Sequence, residues 1–321
     1  MKKETSCPAF RTAIGGQALM EGILMRGVDK QAIVIRTEEG LVTKVEPLEL
    51  IKEKHPALGW PVIRGVVNFV DSMAKGKKAL TYSAQFVPEE EQEAPSKLDL
   101  WIEKKFSAEK AEKAVISVAL VLGLLLAIGL FIFLPTLLVG LIPGLRAGHD
   151  GMRTLLEGVV KLAVFLGYMA AVSRMKEMRR VFAYHGAEHK SIYCYEHGKE
   201  LTVENVREES RFHPRCGTSF LIVVIILSIL VFILVNAFLG VNNVFLRMLV
   251  KILLLPIEVG LCYELNRWLG RHDELGISRV LSWPGRALQH LTTNEPDDSM
   301  IEVAITALKL VIPEEKGADA W

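Results

Sequence analysis

Hydrophobic positions along the chain follow two kinds of pattern. Uninterrupted apolar runs without a charge cover residues 114–142 and 217–246. At about 1.5 Å per helical residue each is long enough to cross an apolar layer ~30 Å thick. Pro135 within the first run predicts a kink. Two weaker runs are read as further spans. Residues 155–173 carry Glu157 and Lys161 near their start, and residues 248–265 carry Lys251, Glu258 and Glu264. The expected fold is therefore mostly α, a polytopic bundle of about four membrane spans.

Outside these runs the periodicity is that of folded soluble segments. Residues 32–35 and 41–45 are β-rich and flank Glu38, Glu39 and Gly40, a hairpin signal. Residues 62–84 have apolar positions at helical spacing, together with Lys75, Lys77 and Lys78. Such a helix suits a membrane surface or a packed core equally. Residues 87–96 form an acidic linker, and 98–113 a charged helix leading into the first span. Near the other end, residues 297–312 read as a short amphipathic helix with Asp297 and Asp298 at its positive end and Pro313 as its stop. The division expected is a small α+β cytoplasmic N-terminal region over 1–113, a membrane domain over 114–265 with an extramembrane loop at 174–216, and a cytoplasmic C-terminal tail over 266–321.

Charge then orients the spans. Residues 174–215 carry nine Lys and Arg side chains, whereas residues 143–153 carry only Arg146 and Arg153. The positive-inside rule places the basic loop and both termini in the cytoplasm of a multi-pass cell-membrane protein. Half of the residues are hydrophobic (50%), with a mean hydropathy of +0.30. A net charge of +1 gives no electrostatic case for a nucleic-acid partner. Residues 1–26 lack the apolar core of a secretory signal, so the first span is expected to serve for targeting. The four cysteines, Cys7, Cys194, Cys216 and Cys262, are too few and too irregular for a disulfide framework.

The candidate chemistry lies in the basic loop. Tyr184-His185-Gly186-Ala187-Glu188-His189 contains H-x-x-E-H. On a helix His185 and His189 stand one turn apart on one face, where two imidazoles can share a metal ion. Glu188 lies close to that face, in the position of a general base. If the helix continues, Glu196 returns to the same face and Gly198 fits its C-cap. Cys194 faces away from His185 and is read as a packed residue. His213 and Cys216 follow, with Pro214 turning the chain between them. A site built from His185, His189 and either His213 or Cys216 is ordinary for zinc, the divalent ion this donor set suits best. Three protein ligands leave a position for water and hence for catalysis; four close the site and make it structural. Glu258, inside an apolar run, is a further candidate because an intramembrane acid is functional by default. Residues 15–27 bracket Glu21 and Arg26 with four glycines. They lack the order of a phosphate-binding loop and read as a Gly-containing turn with a surface Glu–Arg pair.

Four segments taken together identify a resemblance. GGQALMEGILMRG (15–27), YHGAEHKSIYCYEHG (184–198), SRFHPRCGTSF (210–220) and TTNEPDDSMIEVAI (292–305) resemble the bacterial YqhQ-type membrane protein family. That family is a domain of unknown function often labelled a predicted metal-dependent enzyme. The resemblance implies membrane location and a suspected metal, and supplies no substrate. The residues point to a membrane-embedded metal-dependent hydrolase working at the cytoplasmic surface. Its substrate would be a lipid, a lipid-linked precursor or a membrane-protein segment. A non-enzymatic scaffold stapled by metal, or a transport component, is the rival reading.

Overall fold

The computed structural model describes residues 10–48, 56–86, 108–142, 150–272, 274–315 and 317–320. The acidic stretch 87–96, Cys7 and most of the helix expected at 98–113 lie outside them. The chain forms two compact units. One gathers residues 1–87, 169–224 and 256–321, and the other gathers 88–168 and 225–255.

The first unit is organised on an antiparallel sheet of four strands in the order β1-β2-β3-β4: β1 (Gly15–Leu19), β2 (Gly22–Arg26), β3 (Lys30–Thr37) and β4 (Gly40–Pro47). The hairpin around Glu38–Gly40 joins β3 to β4. The glycine-bracketed segment is not a single turn with a Glu–Arg pair. It is a second hairpin, with Leu19 opposite Gly22 and Glu21 at the tip in the left-handed region (φ 50°). Its acid and base point to different places. Glu21 accepts both forks of Arg180 at 2.5 Å and the Tyr184 hydroxyl at 3.2 Å, while Arg26 donates to Asp71 at 3.0 Å.

Alternation along the strands splits the sheet into two apolar faces. Ile23, Met25, Ala32 and Val34 pack on helices α5 (Lys176–Glu196) and α10 (Asp298–Val311) through Tyr184, Ala187, Val303, Ala304 and Leu308. Leu19, Leu24, Ile33 and Ile35 pack on Ala79 and Tyr82 of α1 (Ile63–Ala84). Burial on both faces explains why the inner strands lack polar residues at alternate positions. Helix α1 is therefore packed on the sheet along one side, while Phe69, Val70 and Met73 stay exposed on another. Asp297 caps α10, its side chain accepting from Met300 N at 3.0 Å.

The remaining helices are α2 (Ala108–Ile128), α3 (Leu134–Gly140), α4 (Asp150–Val172), α6 (Val203–Glu208), α7 (Ser219–Leu239), α8 (Val244–Arg271) and α9 (Gly276–Thr292). Among the described residues three helical stretches are long and apolar enough to cross a membrane: Val115–Gly140, Gly151–Val172 and Ser219–Leu239. The first contains a π turn over Gly129–Phe133, just before Pro135. Proline cannot donate the bond that would continue an α-helix, and the widened turn absorbs the missing donor. The fourth expected span, α8, does not meet the same criterion. It is 28 residues long, but Arg247, Lys251, Glu258 and Glu264 interrupt its apolar run.

Candidate metal centre

The site lies wholly within the first unit. Helix α5 is buried on nearly every side from Phe182 to Glu196, so its polar groups must be met by specific partners. It ends at His197 with Gly198 in the left-handed region (φ 67°), where the spacing predicts a cap. His185 and His189 stack one turn apart, ring centroids 4.4 Å from each other. The chain beyond α6 turns back and brings Cys216 Sγ to 3.2 Å from His185 Nε2. Ligand atoms of His185, His189 and Cys216 all lie within 4.8 Å of one another.

The outer nitrogens of both rings are spoken for. His185 Nδ1 is 2.8 Å from the carbonyl of Thr292, and His189 Nδ1 is 2.6 Å from that of Arg211. A carbonyl oxygen only accepts, so each Nδ1 donates and each Nε2 is left facing inward. Metal-ligating histidines are held in this way, and the donor set of two imidazoles and a thiolate fits a borderline-soft divalent ion. Glu188 lies buried beside this group. Its Oε1 accepts from Gly16 N at 2.9 Å, whereas its Oε2 is buried with no hydrogen-bond partner among the described residues.

Electrostatics follow from this crowding. Burial raises the Cys216 thiol, but His189 and His185 outweigh it and hold it well below its ordinary value. For His185, burial pulls down and Cys216 pulls up, with a net rise to about 9. Burial lifts the Glu188 carboxyl above the ordinary range despite the two histidines. A raised carboxyl, a depressed thiol and an imidazole side by side make the group a candidate functional site.

Not every expected ligand joins this group. His213 stands beside His189, ring centroids 5.6 Å apart, but its Nε2 faces Glu196 Oε2 at 3.4 Å. Its backbone N–H and carbonyl are held by the Gln289 side chain at 2.8 and 2.7 Å. Burial pushes the His213 imidazole down to about 4. Glu196 is fully buried and also accepts from Arg215 and from Thr12 N. Cys194 is buried 3.4 Å from the Glu200 carbonyl. Glu258 is buried on the second half of α8, and Glu21 and Arg26 belong to the sheet.

Three contributors carry no chemical signal in the sequence. Gly16 must lack a side chain, because a Cβ there would lie 2.9 Å from Glu188 Cδ. Gly186 lets α5 approach the backbone at Asn294, whose N–H donates to Phe182 O at 2.8 Å. Thr292 anchors His185 through its carbonyl, and its hydroxyl lies 3.4 Å from Thr218 Oγ1, which is 3.1 Å from Cys216 Sγ. All four segments noted in the sequence thus meet at one place: Gly16 from the first, His185, Glu188 and His189 from the second, Arg211 and Cys216 from the third, and Thr292 from the fourth.

A largely helical chain with membrane-length helices and a buried His/His/Cys cluster beside a sheet defines a class of membrane-associated protein with a candidate metal centre. Residues 60–314 match the family described as "Protein of unknown function (DUF1385)", and the chain belongs to that family. It is 32% identical over 312 residues to "Uncharacterized protein YqhQ" of Bacillus subtilis (strain 168), covering 95% of this chain and 92% of that protein. No solved structure matches. These descriptions support the YqhQ-type resemblance and give no support to the metal-dependent-enzyme label attached to it.

Proposed function

We propose that the chain is a membrane-embedded, metal-dependent hydrolase that works at the cytoplasmic surface of the cell membrane. The observation that carries this reading is the convergence of His185, His189 and Cys216, with each Nδ1 anchored on a backbone carbonyl and an unpartnered Glu188 oxygen beside them. Three protein ligands suit a catalytic rather than a closed structural site. His185, His189 and Cys216 would hold a divalent ion, zinc by its donors, which would supply Lewis acidity there. Glu188, held by Gly16, takes a proton on Oε2. His213, with Glu196 and Arg215, shapes the wall beside His189. A lipid, a lipid-linked precursor or a membrane-protein segment is the substrate class for a site on a unit tethered by spans.

Four crossings are also inferred, with α8 as the fourth. The strands, α5 and α10 form one core, so all three lie on one side of the membrane. Two spans separate the strands from α5, and α7 takes the chain across again before α10. Helix α8 must return it, and at ~42 Å it is long enough. The basic loop then puts that core in the cytoplasm.

The test is metal content alongside function. Purified wild-type protein is expected to hold about one equivalent of a divalent ion, falling to well under half in His185→Ala and His189→Ala. Glu188→Gln is expected to keep the ion and to lower activity in cells by about 100-fold or more. If none of the three substitutions changes metal content, the reading is wrong. The 3.2 Å contact between Cys216 Sγ and His185 Nε2 favours a second reading, a thiolate nucleophile paired with an imidazolium. A metal-free active protein that loses activity on stoichiometric alkylation of Cys216 would select it.

A further inference from the structure

The second unit holds a cluster of charge that the metal reading does not use. Glu157 is 2% exposed and accepts from Arg153 Nε at 3.2 Å, from Arg247 Nε and Nη2 at 3.2 and 3.1 Å, and from Lys251 Nζ at 2.5 Å. One carboxylate therefore faces three cations, and among the described residues the cluster carries an excess of positive charge. Arg153 and Arg247 are buried at 1% and 0% exposure, so water does not balance the excess. Neutral groups take up the remaining donors of Arg247: Asn236 Oδ1, Val241 O and Thr154 Oγ1 at 3.0–3.1 Å. Lys251 also donates to Thr136 Oγ1 at 2.8 Å. Arg153 is different. Its Nη1 donates to Asn242 O at 3.1 Å, but its Nη2 is buried without a partner among the described residues. That nitrogen faces Gly140, where an added Cβ would touch it at 3.5 Å.

A buried excess of cations over counter-charges is among the costliest arrangements a protein can hold, and within membrane segments ionisable groups mark binding sites. The geometry points to an anion site among α3, α4, α7 and α8, completed by a phosphate-type oxyanion held by Arg153 Nη2 and Lys251 Nζ. A planar guanidinium fork matches an oxyanion better than it matches a halide. Arg153 lies in the first turn of α4, Arg247 in the first turn of α8 and Asn236 in the last turn of α7, so the cluster sits at the ends of the helices, where lipid phosphates lie. The N-terminal ends of α4 and α8 add positive potential at the same level. Lys251, with its side chain 19% exposed, is the open edge through which a headgroup or a free phosphate would enter. This site is independent of the metal centre, and neither stands or falls with the other.

Native mass spectrometry and thermal unfolding of the full chain in detergent test it, with phosphatidylglycerol in mixed micelles as one probe and inorganic phosphate as the other. One adduct per chain and a raised unfolding temperature are expected with one of the two probes. Phosphatidylglycerol alone would identify a lipid headgroup, and inorganic phosphate a free anion. Binding should weaken about tenfold or more in Arg153→Gln, the loss of one charge-assisted contact. Lys251→Gln, at the partly exposed edge, should do the same and covers the case in which Arg153→Gln fails to fold. Lys44→Gln, in the other unit, should change nothing. Asp150 opens the same helix and is the control for a counter-charge within the chain. If wild type binds neither probe, if both cluster variants bind like wild type, or if only Asp150→Asn gains binding, the proposal is overturned.

Discussion

The environment of Glu188 is set by contacts of single residues, and the two adjacent glycines of β1 separate its causes. A Cβ on Gly16 would press on the Glu188 side chain, whereas one on Gly15 would meet nothing within 4 Å. Gly16→Ala is therefore expected to destabilise the fold by ~1–3 kcal/mol and to displace Glu188, while Gly15→Ala stays within ~0.5 kcal/mol. Chemical denaturation of both variants measures the difference, and equal midpoints would remove Gly16 from the site. The sequence pointed to the candidate ligands, because His185, His189 and Cys216 are rare types at meaningful spacing. It could not show which of His213 and Cys216 joins them. That choice is made by Gln289, which pins the His213 backbone from 76 residues away, and by Glu196, which takes its ring. Nor could it reveal Thr292, whose hold on His185 is a carbonyl that every residue possesses.

Helices and strands differ in how much of them the pattern exposes. The long apolar helices and the β3–β4 hairpin are legible because period and turn residues agree. The β1–β2 hairpin is not, since strands buried on both faces lose their alternation and its tip is Met20-Glu21 rather than a glycine pair. Helix α10 is legible as amphipathic, but not the fact that it fills the sheet. Leu308 is fully buried there, whereas Glu302 is exposed in an ion pair with Arg36. Leu308→Ala is expected to cost ~2–5 kcal/mol, and Glu302→Ala less than ~1 kcal/mol. Similar midpoints for the two variants would mean that α10 is not part of the core. The charges of α8 set it apart from the three apolar helices, and their partners lie far along the chain: Arg247 and Lys251 share the single carboxylate of Glu157, and Glu264 pairs with Arg64.

At the scale of the whole molecule the chain returns repeatedly to one core, and topology can be read directly from that. Reporters fused after residue 148 and after residue 199 are expected to lie on opposite faces of the membrane, and a reporter after residue 312 to share the side of residue 199. A reporter after 312 on the side of 148 would break the four-crossing arrangement. The anchoring of His185 by Thr292, 107 residues further along, has a consequence for biogenesis. While the protein is being made, α5 emerges with its histidines in place but with neither the carbonyl that orients His185 nor the helix that covers Tyr184. Until residues 292–311 have emerged, the nascent chain carries His185, His189 and Cys216 without these partners. Under the proposed metal reading, loading is therefore a late event that waits for residue 292.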